Sequence, residues 1–306
     1  MLACLLRLIS LAALLAVAAG LGWLRDGPAW AFWLLFWAFP IVHASFLAIE
    51  FILAARVNAR CGGPPVDALR WCAAWWREVG TSLRVFGWRQ PWRSQAVPDA
   101  LPGAPDGRTG VVFLHGYLCN RGLWADWMRE LRAQGRACLA PNLEPVFGRI
   151  DDYVPIVERA VVQMTVATGR PPVLVCHSMG GLAARAWLRA AGPDGLQRVQ
   201  HIVTLGTPHG GTWLARFGLG RNTRQMRLDS RWLHELAASE PAALAGRLSC
   251  WWADCDNIVF PAGTAARPGA GAHRVPGVGH VHLVMDPAVR VAVLATLPDD
   301  SGSGIA

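Results

Sequence analysis

Val173-Leu174-Val175-Cys176-His177-Ser178-Met179-Gly180-Gly181-Leu182-Ala183-Ala184-Arg185 is the stretch on which the fold turns. Three apolar residues run into Cys-His-Ser-Met-Gly, and a helix-compatible segment follows at once. A strand that ends on a serine and converts directly into a helix must turn sharply. The turn throws the serine side chain to its tip, and small neighbours let strand and helix approach closely. Cys176 stands where such a turn usually has glycine, and its side chain is small enough to fit. Ser178 is therefore the candidate nucleophile.

Outward from this point, apolar runs alternate with helical patterns. Strands are predicted over residues 111–114, 137–140, 173–176, 201–205, 248–252 and 272–275, and helices over 123–134, 152–168, 179–190 and 287–297. Within 152–168, Val154, Val157, Val161 and Met164 recur near helical spacing. Short strands alternating with helices predict an α/β fold, a parallel doubly wound sheet with helices on both faces. Chemistry in such sheets gathers outside the carboxyl ends of the strands. Residues 210–246 interrupt the alternation and are expected to form a small cap, and the Pro- and Gly-rich 94–110 reads as a linker.

A serine hydroxyl needs a base, and the base needs an orienting group. The acid candidates downstream of Ser178 are Asp254 and Asp256. Asp256 is preferred because it opens Asp256-Asn257-Ile258-Val259, where the two apolar residues pack inward while the carboxylate faces the site. The base is expected at His280, in Val278-Gly279-His280-Val281-His282 between the last strand and the closing helix, with His282 as the alternative. A tetrahedral oxyanion needs backbone donors after the first core strand and after the nucleophile. Those positions are the amides of Tyr117 and Met179, with His115 expected to shape its loop by hydrogen bonding.

Six stretches now carry a resemblance: HGYLCNRGLW, PPVLVCHSMGGLAARAWL, TLGTPHGGTWLA, QMRLDSRWLHEL, WADCDNIVFP and GVGHVHLV. Together they resemble the bacterial lipase/esterase branch of the α/β-hydrolase superfamily over roughly residues 110–297. The resemblance implies serine hydrolysis of carboxylic esters with no cofactor and no metal. It also implies that Thr207-Pro208-His209-Gly210-Gly211 leads into a cap over an acyl pocket, for which Trp213, Leu214 and Phe217 are the candidate lining residues. An acyltransferase or thioesterase would use the same triad, and a scaffold that has lost catalysis is the reading outside enzymology.

The first third of the chain departs from secreted lipases. Over the 306 residues 53% are hydrophobic, and the excess lies at the front. Residues 2–24 are apolar apart from Arg7, and 29–49 carry no charge; each is about as long as the roughly 20 residues a spanning helix needs. Two transmembrane helices are expected over 1–55, joined by a tight turn at Arg25-Asp26-Gly27-Pro28, with Pro40 as a kink that membrane helices tolerate. A cleaved signal peptide is the alternative for the first, since Ala16-Val17-Ala18 resembles a cleavage site.

Residues 56–109 form an Arg/Trp-rich juxtamembrane segment and linker, and 110–300 the catalytic domain. Seven arginines between 56 and 93 face only Asp67 and Glu78. The positive-inside rule then places the catalytic domain on the cytoplasmic side of a bacterial inner membrane. Arginines interleaved with Trp71, Trp75, Trp76, Trp88 and Trp92 fit a segment at headgroup level. The alternative is a helix covering part of the hydrolase domain. The pI of about 9.6 is thus assigned to the bilayer and not to nucleic acid. Cys119, Cys138 and Cys176 are expected as small apolar groups. Cys250 and Cys255 are expected to bridge only in an oxidising compartment, and no Cys/His spacing suggests zinc.

Overall fold

The computed structural model describes residues 1–23, 28–218 and 220–298; Arg25, Asp26 and Gly27 of the expected turn lie outside them. Six strands make the sheet: β1 (Val111–Leu114), β2 (Cys138–Leu139), β3 (Val173–His177), β4 (His201–Leu205), β5 (Leu248–Ala253) and β6 (Gly271–Val275). Their order is β2-β1-β3-β4-β5-β6, and every pairing is parallel. The chain steps outward from β1 to β2, then returns past β1 to lay down β3. The strand order therefore reverses between β1 and β3, and a crevice opens at the carboxyl ends of such a pair.

Helix α1 (Leu2–Trp23) and helix α2 (Ala29–Arg60) precede the sheet. Leu2–Gly20 and Pro40–Arg60 are long and apolar enough to cross a membrane. Pro40 sits inside α2 without ending it. The 32 residues of α2 span about 48 Å at 1.5 Å per residue, more than the roughly 30 Å of bilayer hydrocarbon. The sequence suggested an apolar segment ending near residue 49; the helix instead continues to Arg60, and Ala54 and Asn58 in its last turns are buried.

Helix α3 (Ala68–Ser82) starts on Asp67, whose side chain accepts from the Arg70 amide at 2.9 Å. It runs on through a π-helical stretch, Leu83–Arg89, into α4 (Gln90–Trp92). Ala74, Glu78 and Ser82, each four residues apart, are buried on one face. Trp76 and Trp88 stay exposed. The Arg/Trp-rich segment therefore packs against the rest of the protein with one face and keeps tryptophans outside on another. Trp75 Nε1 donates to the Ala44 carbonyl at 2.9 Å, and Arg7 Nε donates to the Pro91 carbonyl at 2.5 Å, tying both long helices to it.

The remaining helices are α5 (Ala125–Ala133), α6 (Val154–Thr168), α7 (Met179–Ala191), α8 (Arg221–Gln225), α9 (Arg231–Ala238), α10 (His280–Met285) and α11 (Pro287–Ala295). Alternation along each strand divides the core. Val112, Leu114, Leu174 and Cys176 face a cluster with α6 and α7, while Val111, Phe113, Val173 and Val175 face one with α5 and α11. Both faces are covered, as a parallel sheet requires. In the second cluster Phe113 stacks on Trp124 at 4.8 Å.

The expected cap contains α8, α9 and two 3-10 turns. It is fastened by a buried ion network: Arg185 Nε of α7 lies 2.6 Å from Glu240 Oε1, and Arg267 pairs with the other oxygen. Helix α10 was not anticipated, because Gly277 and Gly279 suggested a flexible approach to His280. Cys250 and Cys255 are both buried and unbridged, in separate clusters.

Candidate active site

Ser178 follows β3 directly, with φ 53° and ψ −126°. A non-glycine residue rarely adopts such a backbone, and where one does the surroundings must hold it. The restraint is visible: the Ser178 amide donates to the Leu205 carbonyl at 2.9 Å, and its own carbonyl accepts from Thr207 Oγ1 at 2.9 Å. Two glycines make the turn possible. A Cβ at Gly180 would lie 2.3 Å from the Leu114 carbonyl oxygen, and one at Gly181 would lie 2.2 Å from Thr207 Oγ1. Cys176 is fully buried in the core, so the position that usually holds glycine is an apolar packing site here.

His280 Nδ1 lies 2.8 Å from Asp256 Oδ2. The other oxygen of Asp256 accepts from the amides of Ile258 and Val259 at 2.8 and 2.7 Å. The Asp-Asn-Ile-Val order thus fixes the carboxylate through its own turn and leaves one oxygen for the imidazole. Asp254, the alternative acid, pairs with Arg274 and accepts from the Gly277 amide at 2.7 Å. His282, the alternative base, shares a hydrogen bond with Thr81 Oγ1 at 2.9 Å and faces Asp286. Neither alternative reaches the Asp256–His280 pair.

The pair sits where the strands end. Gly206 follows β4, and a Cβ there would be 3.2 Å from both Asp256 Oδ2 and the His280 ring. On the other side, the His280 ring is 4.6 Å from that of His177. His280 therefore lies against residue 177 and Gly206, which border Ser178 in the chain and across the strand pair. Tyr117 stands three residues beyond β1, after Gly116, where a Cβ would be 2.8 Å from Ser178 Cβ. Met179 opens α7. Tyr117 and Met179 thus follow the two elements that border the serine at the reversal of strand order.

Burial pulls the His280 pKa down, but the charge and hydrogen bond of Asp256, aided by Glu78 and Glu50, leave it raised above 6.5. Burial disfavours the charged form of the two neighbouring histidines. Burial drives His177 well below its ordinary value, and its Nε2–H donates to the His280 carbonyl at 3.2 Å. Burial pushes His115 down to about 4. Its Nδ1–H donates to the Gly116 carbonyl at 2.9 Å, and Nε2 accepts from the Leu143 amide at 2.9 Å. This is the loop-shaping role expected of it.

On the cap, Trp213 packs between Phe217 at 5.4 Å and Phe260 at 5.7 Å, and Leu214 is half-buried beside it. Phe217, Phe147 and Leu118 are exposed, and Phe147 packs against Tyr117. Sequence reasoning missed three polar partners of the His280 turn: Glu50, Glu78 and Asn257. A signal existed for Glu50, an acid inside the apolar run of residues 46–55, which is expensive unless it has a partner.

A family model described as the alpha/beta hydrolase family matches residues 111–293. No curated protein matches the chain. Among solved structures, a Bacillus licheniformis lipase in mature form is similar with a TM-score of 0.55 at 15% identity, covering 65% of this chain and 97% of that one. Lipase B of Aspergillus fumigatus is similar with a TM-score of 0.54 at 15% identity, covering 67% of this chain and 57% of the other. At such identities the likeness is one of fold. The family match, however, spans more than half of the 306 residues and contains the elbow, the Asp256–His280 pair and the six-stranded sheet: the chain belongs to the alpha/beta hydrolase family.

Proposed function

We propose that the protein is a membrane-anchored serine esterase or lipase that hydrolyses carboxylic esters of lipid-like substrates. The observation that carries this reading is the 2.8 Å Asp256–His280 contact beside the strained turn of Ser178. With Nδ1 committed to Asp256, Nε2 of His280 takes the proton as Ser178 Oγ attacks the acyl carbon. Asp256 holds the tautomer and stabilises the imidazolium. The Tyr117 and Met179 amides bind the oxyanion, an effect of about 3 kcal/mol per donor. His280 returns the proton to the departing alcohol. Water, deprotonated by the same nitrogen, then releases the acid from the serine ester.

The lipid-like substrate is supported by the exposed Leu118, Phe147 and Phe217 around Tyr117 and the cap, and by the lipases among the similar folds. Trp213, Leu214 and Phe217 line the acyl site in this reading. The anchor in this reading is α1 with the part of α2 ahead of Ala44, since Ala44, Glu50 and Asn58 contact the rest of the protein. The amino terminus of α1 and the carboxyl end of α2 both meet the catalytic domain, through the Met1 amino group on Glu144 and Asn58 Oδ1 on the Ala262 amide. These contacts support a reading with the two connections and the arginine-rich segment on one side, which the positive-inside rule assigns to the cytoplasm of a bacterial inner membrane. Ser178→Ala in membranes is expected to abolish hydrolysis of p-nitrophenyl esters and labelling by a fluorophosphonate probe while the protein stays folded. Retained turnover would sink the assignment.

A further inference from the structure

The turn that carries His280 is held from outside the hydrolase fold. Helix α10 begins at His280, and its N-cap is Gly279, which has no side chain to accept from the first amides. Glu78 of α3 supplies both acceptors: Oε1 takes the Val281 amide at 2.7 Å and Oε2 takes the His282 amide at 2.8 Å. One turn further along α3, Thr81 Oγ1 meets His282 Nδ1 at 2.9 Å. Gly279 is small because the carboxylate occupies the space: a Cβ there would be 2.6 Å from Glu78 Oε2.

A second carboxylate reaches the same turn from α2. Glu50 Oε2 accepts from Asn257 Nδ2 at 2.7 Å, and Asn257 Oδ1 accepts from the His280 amide at 3.1 Å. The His280 amide, its carbonyl, its Nδ1 and the next two amides are thus all engaged, by Asn257, His177, Asp256 and Glu78 respectively. Glu50 and Glu78 are both buried, which is costly for carboxylates that serve only as surface counterions to arginine.

We propose that Glu78 is a positioning residue for the catalytic imidazole, and that Glu50 seats the other edge of the same turn through Asn257, so that the amino-terminal helices are a working part of the active site as well as its anchor. The inference rests on the triad reading above. Its energetic content is alignment: an error of about 1 Å in a reacting group costs on the order of a hundredfold in rate. Electrostatics act in the same direction. Burial pushes Glu78 up to about 7 against the pull of its two amide donors. Once ionised, it favours the imidazolium that forms during attack. The ionisable groups facing His280 are Asp256 from the β5–β6 connection, Glu78 from α3, Glu50 from α2 and His177 from β3.

The test uses the full chain in detergent micelles with a soluble p-nitrophenyl ester, comparing wild type, Glu78→Gln, Glu78→Asp, Glu50→Gln, Ser178→Ala and the remote control Glu130→Gln. Glu78→Gln keeps the size but loses one acceptor and the charge. Its kcat is expected to fall by about a hundredfold with KM nearly unchanged, and the acid limb of kcat/KM should move to lower pH. Glu78→Asp keeps the charge and should keep the position of the acid limb, while its shorter reach lowers kcat. Glu50→Gln should lower kcat less, with the same direction of pH shift, and it decides the matter if the Glu78 variants do not fold. Wild-type kcat and an unmoved acid limb in the folded glutamine variants would overturn the proposal. Turnover by Ser178→Ala would instead overturn the triad reading, whatever the glutamates do.

Discussion

Asp256 and Glu78 are both buried carboxylates in contact with the His280 turn, and they come from different parts of the molecule. Asp256 belongs to the sheet-built half. It follows β5, is locked by the amides of its own turn, and touches the ring itself. Glu78 belongs to the helical third and touches only backbone, more than 200 residues away in sequence. In the proposed reading Asp256 acts chiefly on the charge of the imidazole, and Glu78 chiefly on its location, with a smaller share in its charge. The contrast teaches that a site assembled at strand ends can still depend on an element that the fold family does not require.

Three measurements press on that contrast. Asp256→Asn keeps the shape but presents the wrong hydrogen-bonding partner to Nδ1, and kcat is expected to fall about ten-thousandfold in an ester assay. A loss no greater than that of Glu78→Gln would make the two carboxylates equivalent and break the division. Glu240→Gln tests a carboxylate that is equally buried but remote from His280. It leaves Arg185 and Arg267 without their counter-charge, a cost of about 3–5 kcal/mol that denaturant unfolding should register. Its effect belongs in stability and not in the acid limb of the rate. The smallest effect is on pH dependence in the wild type. The base must be neutral to accept a proton, and His280 is raised above 6.5 by the carboxylates around it. kcat/KM should therefore decline as pH falls through a midpoint above 6.5, by about tenfold per unit beyond it. A midpoint below 6.5 would mean that burial outweighs the carboxylates.

Much of the sheet-built half can be read from local pattern. Val173 to Ser178 announces a buried strand and an abrupt turn, and Asp256 is marked by the apolar Ile258 and Val259 behind it. The six strands fall within a residue of their predicted bounds; β1 to β4 do so because buried parallel strands are short apolar runs with few alternatives, whereas β6 is an exposed edge strand. Helix α10 was missed for a physical reason: it is six residues long, starts after glycine, and owes its first hydrogen bonds to a side chain from α3. Glu78 was hidden in the same way. Among arginines and tryptophans an acid reads as a solvated counterion, and only its spacing with Ala74 and Ser82 hints at a buried face. Local sequence encodes a residue's own conformation far better than the distant backbone its side chain will meet.

The bidentate grip of Glu78 on Val281 and His282 also bears on how such a chain is inherited. A gene rearrangement that carried residues 110–298 onto another leader would deliver the nucleophile, acid and base intact, yet strip the acceptors from the turn beneath the base. On the proposed role of Glu78, a change in the turn of Val281 and His282 would call for an answering change in α3, and the reverse.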